Sequence, residues 1–292
     1  MKNIIKIVLA IAIFLGTCLV VPTISTDMGN MHYTLNNPQI ASNNNDSTLI
    51  HKTSPQKNEI INLPVVNIPI LMYHDVAPWT KFMTKLSKSL MVQPDEFNAQ
   101  MDYLEKNNYT TITLKELNLV WEGKMVMPKN PIVLTFDDGD AGVYQYAYPI
   151  LKKHNFKFVV FLITKFLRFN TNFYMKRSQV KEILNSGLCE AGSHTCDHIN
   201  LQRASKDFAY YEISQSKKDI EKYLSFDATS FAYPGGRFSD EAIKDLKKNG
   251  YNIAVTTIYG FANENQNHLL LKRIRIDGRE PISTFIAKLK GY

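Results

Sequence analysis

The stretch Pro131-Ile132-Val133-Leu134-Thr135-Phe136-Asp137-Asp138-Gly139-Asp140 decides how this chain folds. Six apolar and β-branched residues in a row, without polar alternation, describe a strand buried on both faces. Strands of that kind belong to parallel sheets covered by helices. The run then stops on two adjacent carboxylates and a glycine, so a buried strand delivers paired acids to its carboxyl end. Asp-Asp-Gly is also an ordinary turn sequence. What lifts it here is its place directly after a buried strand and before a helix. Two carboxylates this close raise each other's pKa unless a cation or a basic partner is near.

A second run supplies the natural complement. Ser193-His194-Thr195-Cys196-Asp197-His198 places two of the chain's seven histidines four residues apart, after another apolar stretch. On a helical turn that spacing puts both imidazoles on one side, where they can share an ion. One carboxylate with two histidines holds a catalytic zinc-type ion and leaves positions open. The spare carboxylate is then free to act as a base on water. A solvated loop is the plainer reading of the histidines taken alone. Cys196 between them is set aside as a ligand, because its spacing competes with the histidine pair for geometry.

Outward from these runs the chain alternates strand and helix. Residues 68–74 read as a buried strand ending at His74, 94–107 as a helix with Phe97, Met101 and Leu104 on one face, and 109–112 as a short strand. Thr113 opens a helix, and further helices are expected over 143–154, 179–186, 206–224 and from Ser239-Asp240 to Lys248. Strands are expected over 158–163, 188–192, 229–233 and 251–257. The alternation implies a mostly parallel sheet with covered faces. The chemically rich residues fall at carboxyl ends of strands, where a barrel of β/α units carries its active site. The fold class expected is therefore α/β, a (β/α) barrel, in preference to an open doubly wound sheet.

The 292 residues divide into three parts. Lys2 and Lys6 precede an apolar run from Ile7 to Val21, so residues 1–26 read as a signal peptide or membrane anchor. Lipidation at Cys18 is disfavoured because Thr17 precedes it and Leu19-Val20-Val21 continues the apolar run. Residues 27–62 are polar, rich in Asn, Ser and Thr, and read as a flexible linker. Residues 63–292 hold the folded domain. Export to the cell surface or beyond is thus expected, and the formal charge of +7 suits a membrane surface or an anionic wall. No zinc-finger or helical basic motif is present and the lysines are dispersed, which sets nucleic acid aside. Three cysteines make no disulfide framework.

Three further groups invite attention. His74 closes a buried strand, with Asp75 beside it as a group able to tune an imidazole. Tyr233-Pro234-Gly235-Gly236 is a turn whose glycines let backbone N–H groups approach a ligand closely, as an oxyanion site requires. Arg273 and Arg275 alternate along a late strand and so share a face, from which one can reach the catalytic carboxylate or both can form a surface stripe.

Taken together these residues resemble the polysaccharide deacetylases, the NodB-like family 4 carbohydrate esterases, over roughly residues 69–276. Thr135-Phe136-Asp137-Asp138-Gly139 is similar to the family's first motif, and by that resemblance Asp137 is the base and Asp138 a metal ligand. Residues 193–198 resemble the second motif, implying His194 and His198 as the other ligands. The family's third motif, Arg-x-Pro-Tyr, corresponds to Ala232-Tyr233-Pro234-Gly235, which lacks the arginine. Arg273 is the candidate substitute for orienting the base, and Tyr233 with the Gly235 amide the candidate substrate and oxyanion contacts. Because residues 69–76 open the domain and no late Leu-x-His motif is present, the chain resembles the permuted branch that includes exported deacetylases of poly-β-1,6-N-acetylglucosamine. That resemblance implies His74 as general acid and a distorted barrel of about seven strands. It also implies one divalent ion, zinc with cobalt or nickel as alternatives, and an N-acetylglucosamine-containing polysaccharide as partner. Rival readings are a peptidoglycan N-acetylglucosamine deacetylase, a catalytically silent glycan-binding protein and a phosphate-ester hydrolase; the last lacks carboxylates for a second ion.

Overall fold

In the computed structural model, which describes residues 65–169 and 171–291, the run 131–136 is a strand with all six residues buried. The signal or anchor and the linker expected over residues 1–62 lie outside the described residues. In chain order the strands are β1 (Ile70–Tyr73), β2 (Asp75–Val76), β3 (Met91–Val92), β4 (Thr110–Thr111), β5 (Pro131–Phe136), β6 (Phe158–Leu162), β7 (Cys189–Ser193), β8 (Ser230–Ala232), β9 (Ile253–Tyr259) and β10 (Leu271–Arg275). The helices are α1 (Lys85–Leu90), α2 (Pro94–Lys106), α3 (Leu114–Trp121), α4 (Tyr148–Lys153), α5 (Lys165–Arg168), α6 (Arg177–Asn185), α7 (Lys206–Leu224), α8 (Asp240–Lys248) and α9 (Ile282–Leu289).

Neighbouring strands run β1-β10-β9-β8-β7-β6-β5, all parallel, and β5 pairs with β1 to close a seven-stranded ring. Parallel neighbours need crossover connections, which the helices supply. β4 adds to the amino-terminal end of β5, through Thr110–Pro131 and Thr111–Ile132. The expected (β/α) barrel is what the chain forms.

Strand side chains alternate between the two faces of the ring. Leu71, Tyr73, Leu134, Phe136, Phe158, Val160 and Phe231 pack in one cluster with Phe97, Met101, Leu151, Ile183, Ile213 and Leu246 of the surrounding helices. Their neighbours Ile70, Val133, Val159, Phe161, Ala232, Val255 and Leu271 form a separate cluster, the barrel interior. Ile112, Leu114 and Leu117 join that interior cluster, so α3 seals the amino-terminal end of the barrel. Its start is held by a capping box, with Thr113 accepting from the Glu116 amide and Glu116 accepting from the Thr113 amide.

Two local features differ from expectation. The helix expected over 143–154 begins as a π-turn, Val143–Ala147, before continuing as α4. Pro149 has no N–H to give to Gln145, and the Tyr148 amide donates five residues back to Val143. At the carboxyl end the sequence reading stops short of α9, whose Phe285 and Leu289 are buried.

Interior space is tight at Gly192 on β7. A Cβ there would lie 2.6 Å from the Phe161 ring and 2.6 Å from Ser230 Oγ, all inside the barrel. Gly192→Ala is therefore expected to destabilise the domain by about 1–3 kcal/mol through overpacking. A urea midpoint equal to that of the natural protein would contradict this account of the interior.

Candidate active site

The interior parity of the strands carries on past their ends. His74 follows Ile70 and Met72, Asp137 follows Val133 and Thr135, and His194 follows Glu190 and Gly192, each two residues beyond an inward position. Arg273 sits two residues above Leu271 on β10. Four strands thus aim four ionisable groups at the carboxyl-terminal mouth of one barrel.

Asp138 and the histidines converge. Asp138 Oδ1 lies 3.5 Å from His194 Nε2 and 3.5 Å from His198 Nε2, and the two rings are 4.9 Å apart. Two donors about 2.1 Å from a tetrahedral ion lie about 3.4 Å apart, so this spacing fits a shared divalent ion. The chemistry of each donor agrees. His194 Nδ1–H donates to the Ala232 carbonyl at 2.7 Å, which leaves the Nε2 lone pair for a metal. Burial lowers the pKa of both imidazoles, keeping them neutral. Burial, aided by the charge of Asp137, raises that of Asp138, whose Oδ1 is buried without a hydrogen-bond partner. An orphaned carboxylate oxygen facing two bare imidazole nitrogens lacks only a cation.

The histidines meet differently from the helical turn expected. Residues 194–198 form a non-helical turn in which Thr195 (φ 67°) and His198 (φ 56°) are left-handed. Cys196 stays out of the cluster; it and Cys189 are free and buried.

Arg273, proposed from sequence as one of two readings, reaches Asp137. Its Nη1 and Nη2 donate to Asp137 Oδ1 and Oδ2, each at 2.7 Å, and its side chain is 0% exposed. The Nε–H donates to the Thr256 carbonyl, and Nη1 also donates to Thr135 Oγ1. Burial alone would raise the Asp137 carboxyl, but the arginine beside it overrides that and holds it well below the usual carboxylate range. Arg275 is exposed and makes no bond to Asp137, so the pair does not act as a stripe. Thr135, which sequence reasoning read only as strand, passes a hydrogen bond to the Leu71 carbonyl while accepting from Arg273.

His74 is largely buried at the mouth, and its Nδ1 has no partner. Burial pushes its pKa down to about 4 despite the opposing charge of Asp137, so the resting imidazole is neutral at pH 7. Asp75 does not tune it; Asp75 Oδ1 instead accepts from the Val76 amide, and the carboxylate also holds the Gly142 amide. Gly235 stands exposed in the turn after β8, with φ 59°. Tyr233 requires a correction: its ring is fully buried between Phe231 and Phe238, so the side chain cannot line a substrate groove. Trp121 packs on His268 at the sealed end. Trp79 is half-buried, with Nε1 donating to the Met91 carbonyl.

Comparison with known proteins agrees with this fold. The polysaccharide deacetylase family profile matches residues 124–254. Bacillus subtilis YxkH, described as a polysaccharide deacetylase, is 33% identical over 224 residues, spanning 77% of this chain and 76% of its own. Staphylococcus epidermidis poly-β-1,6-N-acetyl-D-glucosamine N-deacetylase is 30% identical over 243 residues, 76% of this chain and 83% of its own. Among solved structures, the Streptococcus pyogenes deacetylase PplD in complex with acetate superposes with a TM-score of 0.72 at 29% identity, covering 77% of this chain and 99% of its own.

The Asp137–Arg273 pair yields a direct stability test. Arg273→Met leaves a buried carboxylate without its counter-charge, and the domain is expected to lose about 3–5 kcal/mol. A loss under about 1 kcal/mol in urea unfolding would show that the pair does not hold the mouth together.

Proposed function

Because the chain belongs to the polysaccharide deacetylase family, we propose that it is an exported, metal-dependent enzyme that removes acetyl groups from N-acetylglucosamine units of poly-β-1,6-N-acetylglucosamine. The observation that carries the chemistry is the convergence of Asp138, His194 and His198 beside the ion-paired Asp137. The choice of polymer is supported by the staphylococcal relative named for that activity, and by His74 standing at the end of the strand that opens the domain. Export to a membrane or wall surface is supported by the charged and apolar amino-terminal run.

Asp138, His194 and His198 would hold a divalent ion, zinc by the nitrogen and oxygen donor set, and such an ion supplies Lewis acidity toward water and the amide carbonyl. Asp137, kept ionised by Arg273, takes a proton from the attacking water at a carboxylate oxygen while the hydroxyl joins the acyl carbon. The bidentate arginine keeps that carboxylate from rotating away. The Gly235 amide donates to the carbonyl oxygen as it gains charge. His74 protonates the leaving amine as the C–N bond breaks. Since its imidazole rests neutral, it receives that proton within the cycle, and Asp137 is the neighbouring group that has just gained one. Water and amide thus become acetate and a free glucosamine.

Acetate release tests this reading, with poly-β-1,6-N-acetylglucosamine, peptidoglycan and chitin oligomers run in parallel with added zinc, cobalt or nickel. Metal-dependent acetate from the β-1,6 polymer is the expected result, reduced about 10²–10⁴-fold in Asp137→Asn with metal still bound. Release from peptidoglycan alone would move the substrate to the cell wall, and silence on all three with metal bound would make the protein a glycan binder. His74→Gln is expected to lower kcat by a similar factor while leaving metal affinity unchanged; weakened metal binding in that variant would remove His74 from the acid role.

A further inference from the structure

The turn that presents the two imidazoles is held in a conformation its residues disfavour. Thr195 and His198 both have positive φ, and a β-branched residue resists that region most. Such a turn persists only where its backbone is fixed from outside. The His194 amide donates to the Leu162 carbonyl, and the Thr195 amide to Ser193 Oγ. The carbonyls of Thr195 and Cys196 accept from the amides of Thr164 and Lys165. The next two amides along the turn are those of Cys196 and Asp197.

Both donate to one atom. Glu212 Oε2, on α7, lies 2.9 Å from the Cys196 amide and 2.9 Å from the Asp197 amide. Glu212 is 0% exposed, and its other oxygen, Oε1, is buried with no partner. A buried carboxylate that leaves one oxygen unsatisfied is a costly way to support a turn. What it gains is a charge-assisted grip on two successive amides from a single atom. About two helical turns along α7, Asp219 accepts from Thr164 Oγ1 and Arg168 Nη2, steadying the segment whose amides hold the same turn.

We propose that Glu212 is a positioning residue: its carboxylate draws in the Cys196 and Asp197 amides so that His194 and His198 converge on Asp138 before an ion arrives. This rests on the reading of those three residues as the ion site. Preorganisation of ligands through a buried hydrogen-bonding partner is generally worth 10–100-fold in metal affinity. Gln can present one oxygen to the same amides, Ala none, and Asp keeps the charge but falls short by one methylene.

The test uses the full chain with zinc affinity measured by competition with a chromogenic chelator. Glu212→Ala is expected to bind zinc 10–100-fold more weakly and Glu212→Gln to recover most of that loss. Ile220→Ala, a cavity in the same helix, serves as the control that lowers the melting temperature without moving zinc affinity. If Glu212→Ala fails to fold, Glu212→Gln is compared with Glu212→Asp, and tighter zinc binding by the aspartate variant would overturn the proposal. Zinc affinity in a folded Glu212→Ala within twofold of the natural protein would overturn it too. Hydrogen exchange in the metal-free protein separates this failure from failure of the ion site itself. Cys196 and Asp197 amides that exchange faster in Glu212→Ala keep the positioning role even if the natural chain binds no zinc; unchanged exchange rejects it.

Discussion

The pairing of β1 with β5 is the constraint on which the rest depends. It closes the ring, with Tyr73 opposite Phe136, and it sets the Asp137 amide on the Tyr73 carbonyl. A closed parallel ring has one interior, and strand alternation then decides which side chains enter it. Residues far apart in sequence, His74 from the first strand and Arg273 from the last, therefore meet Asp137 without any loop having to place them. β10 lies on the other side of β1, so the guanidinium reaches the carboxylate across the inside of the barrel.

That arrangement puts full charges where solvent does not reach. A buried ion pair is not by itself a source of stability, because desolvation offsets much of the attraction. What the Asp137–Arg273 pair supplies is direction. Two 2.7 Å bonds and two anchors on Thr256 and Thr135 leave the carboxylate one orientation. Asp138, one residue on and left-handed (φ 69°), has no such counter-ion, and its pKa moves the opposite way. Two adjacent aspartates are thereby driven apart in character: one ionised at rest and held, the other short of a cation.

Much of this was legible in the sequence because it follows from short-range pattern. Apolar runs marked β1 and β5, the residues that end them marked the mouth, and Ser239 and Thr113 marked helix starts that the structure confirms as caps. Other features depend on partners distant in sequence. Spacing of i, i+4 read as a helical turn for His194 and His198, but Glu212 and the Thr164–Lys165 amides pull the segment into left-handed geometry instead. Alternation placed Arg273 and Arg275 on one face, yet depth in the barrel separates them, Arg273 being buried and Arg275 exposed. Tyr233 looked like a groove residue beside Pro234-Gly235, and only the surrounding Phe231 and Phe238 show it to be core. A signal for Glu212 did exist: Glu212, Ser216 and Asp219 form a polar stripe at helical spacing along α7, on a face buried among Ile213 and Ile220.

The absent third-motif arginine gains its meaning from this geometry. The position that motif gives its arginine is Ala232, the last residue of β8, whose side chain lies in the barrel interior. Here the same charge comes from a strand residue locked by backbone and side-chain acceptors inside the barrel. The turn at Gly235 is thereby relieved of orienting Asp137 and can be exposed and glycine-rich. Asp137 is then tied to the scaffold through β10, while the exposed Gly235 turn takes no part in that bond.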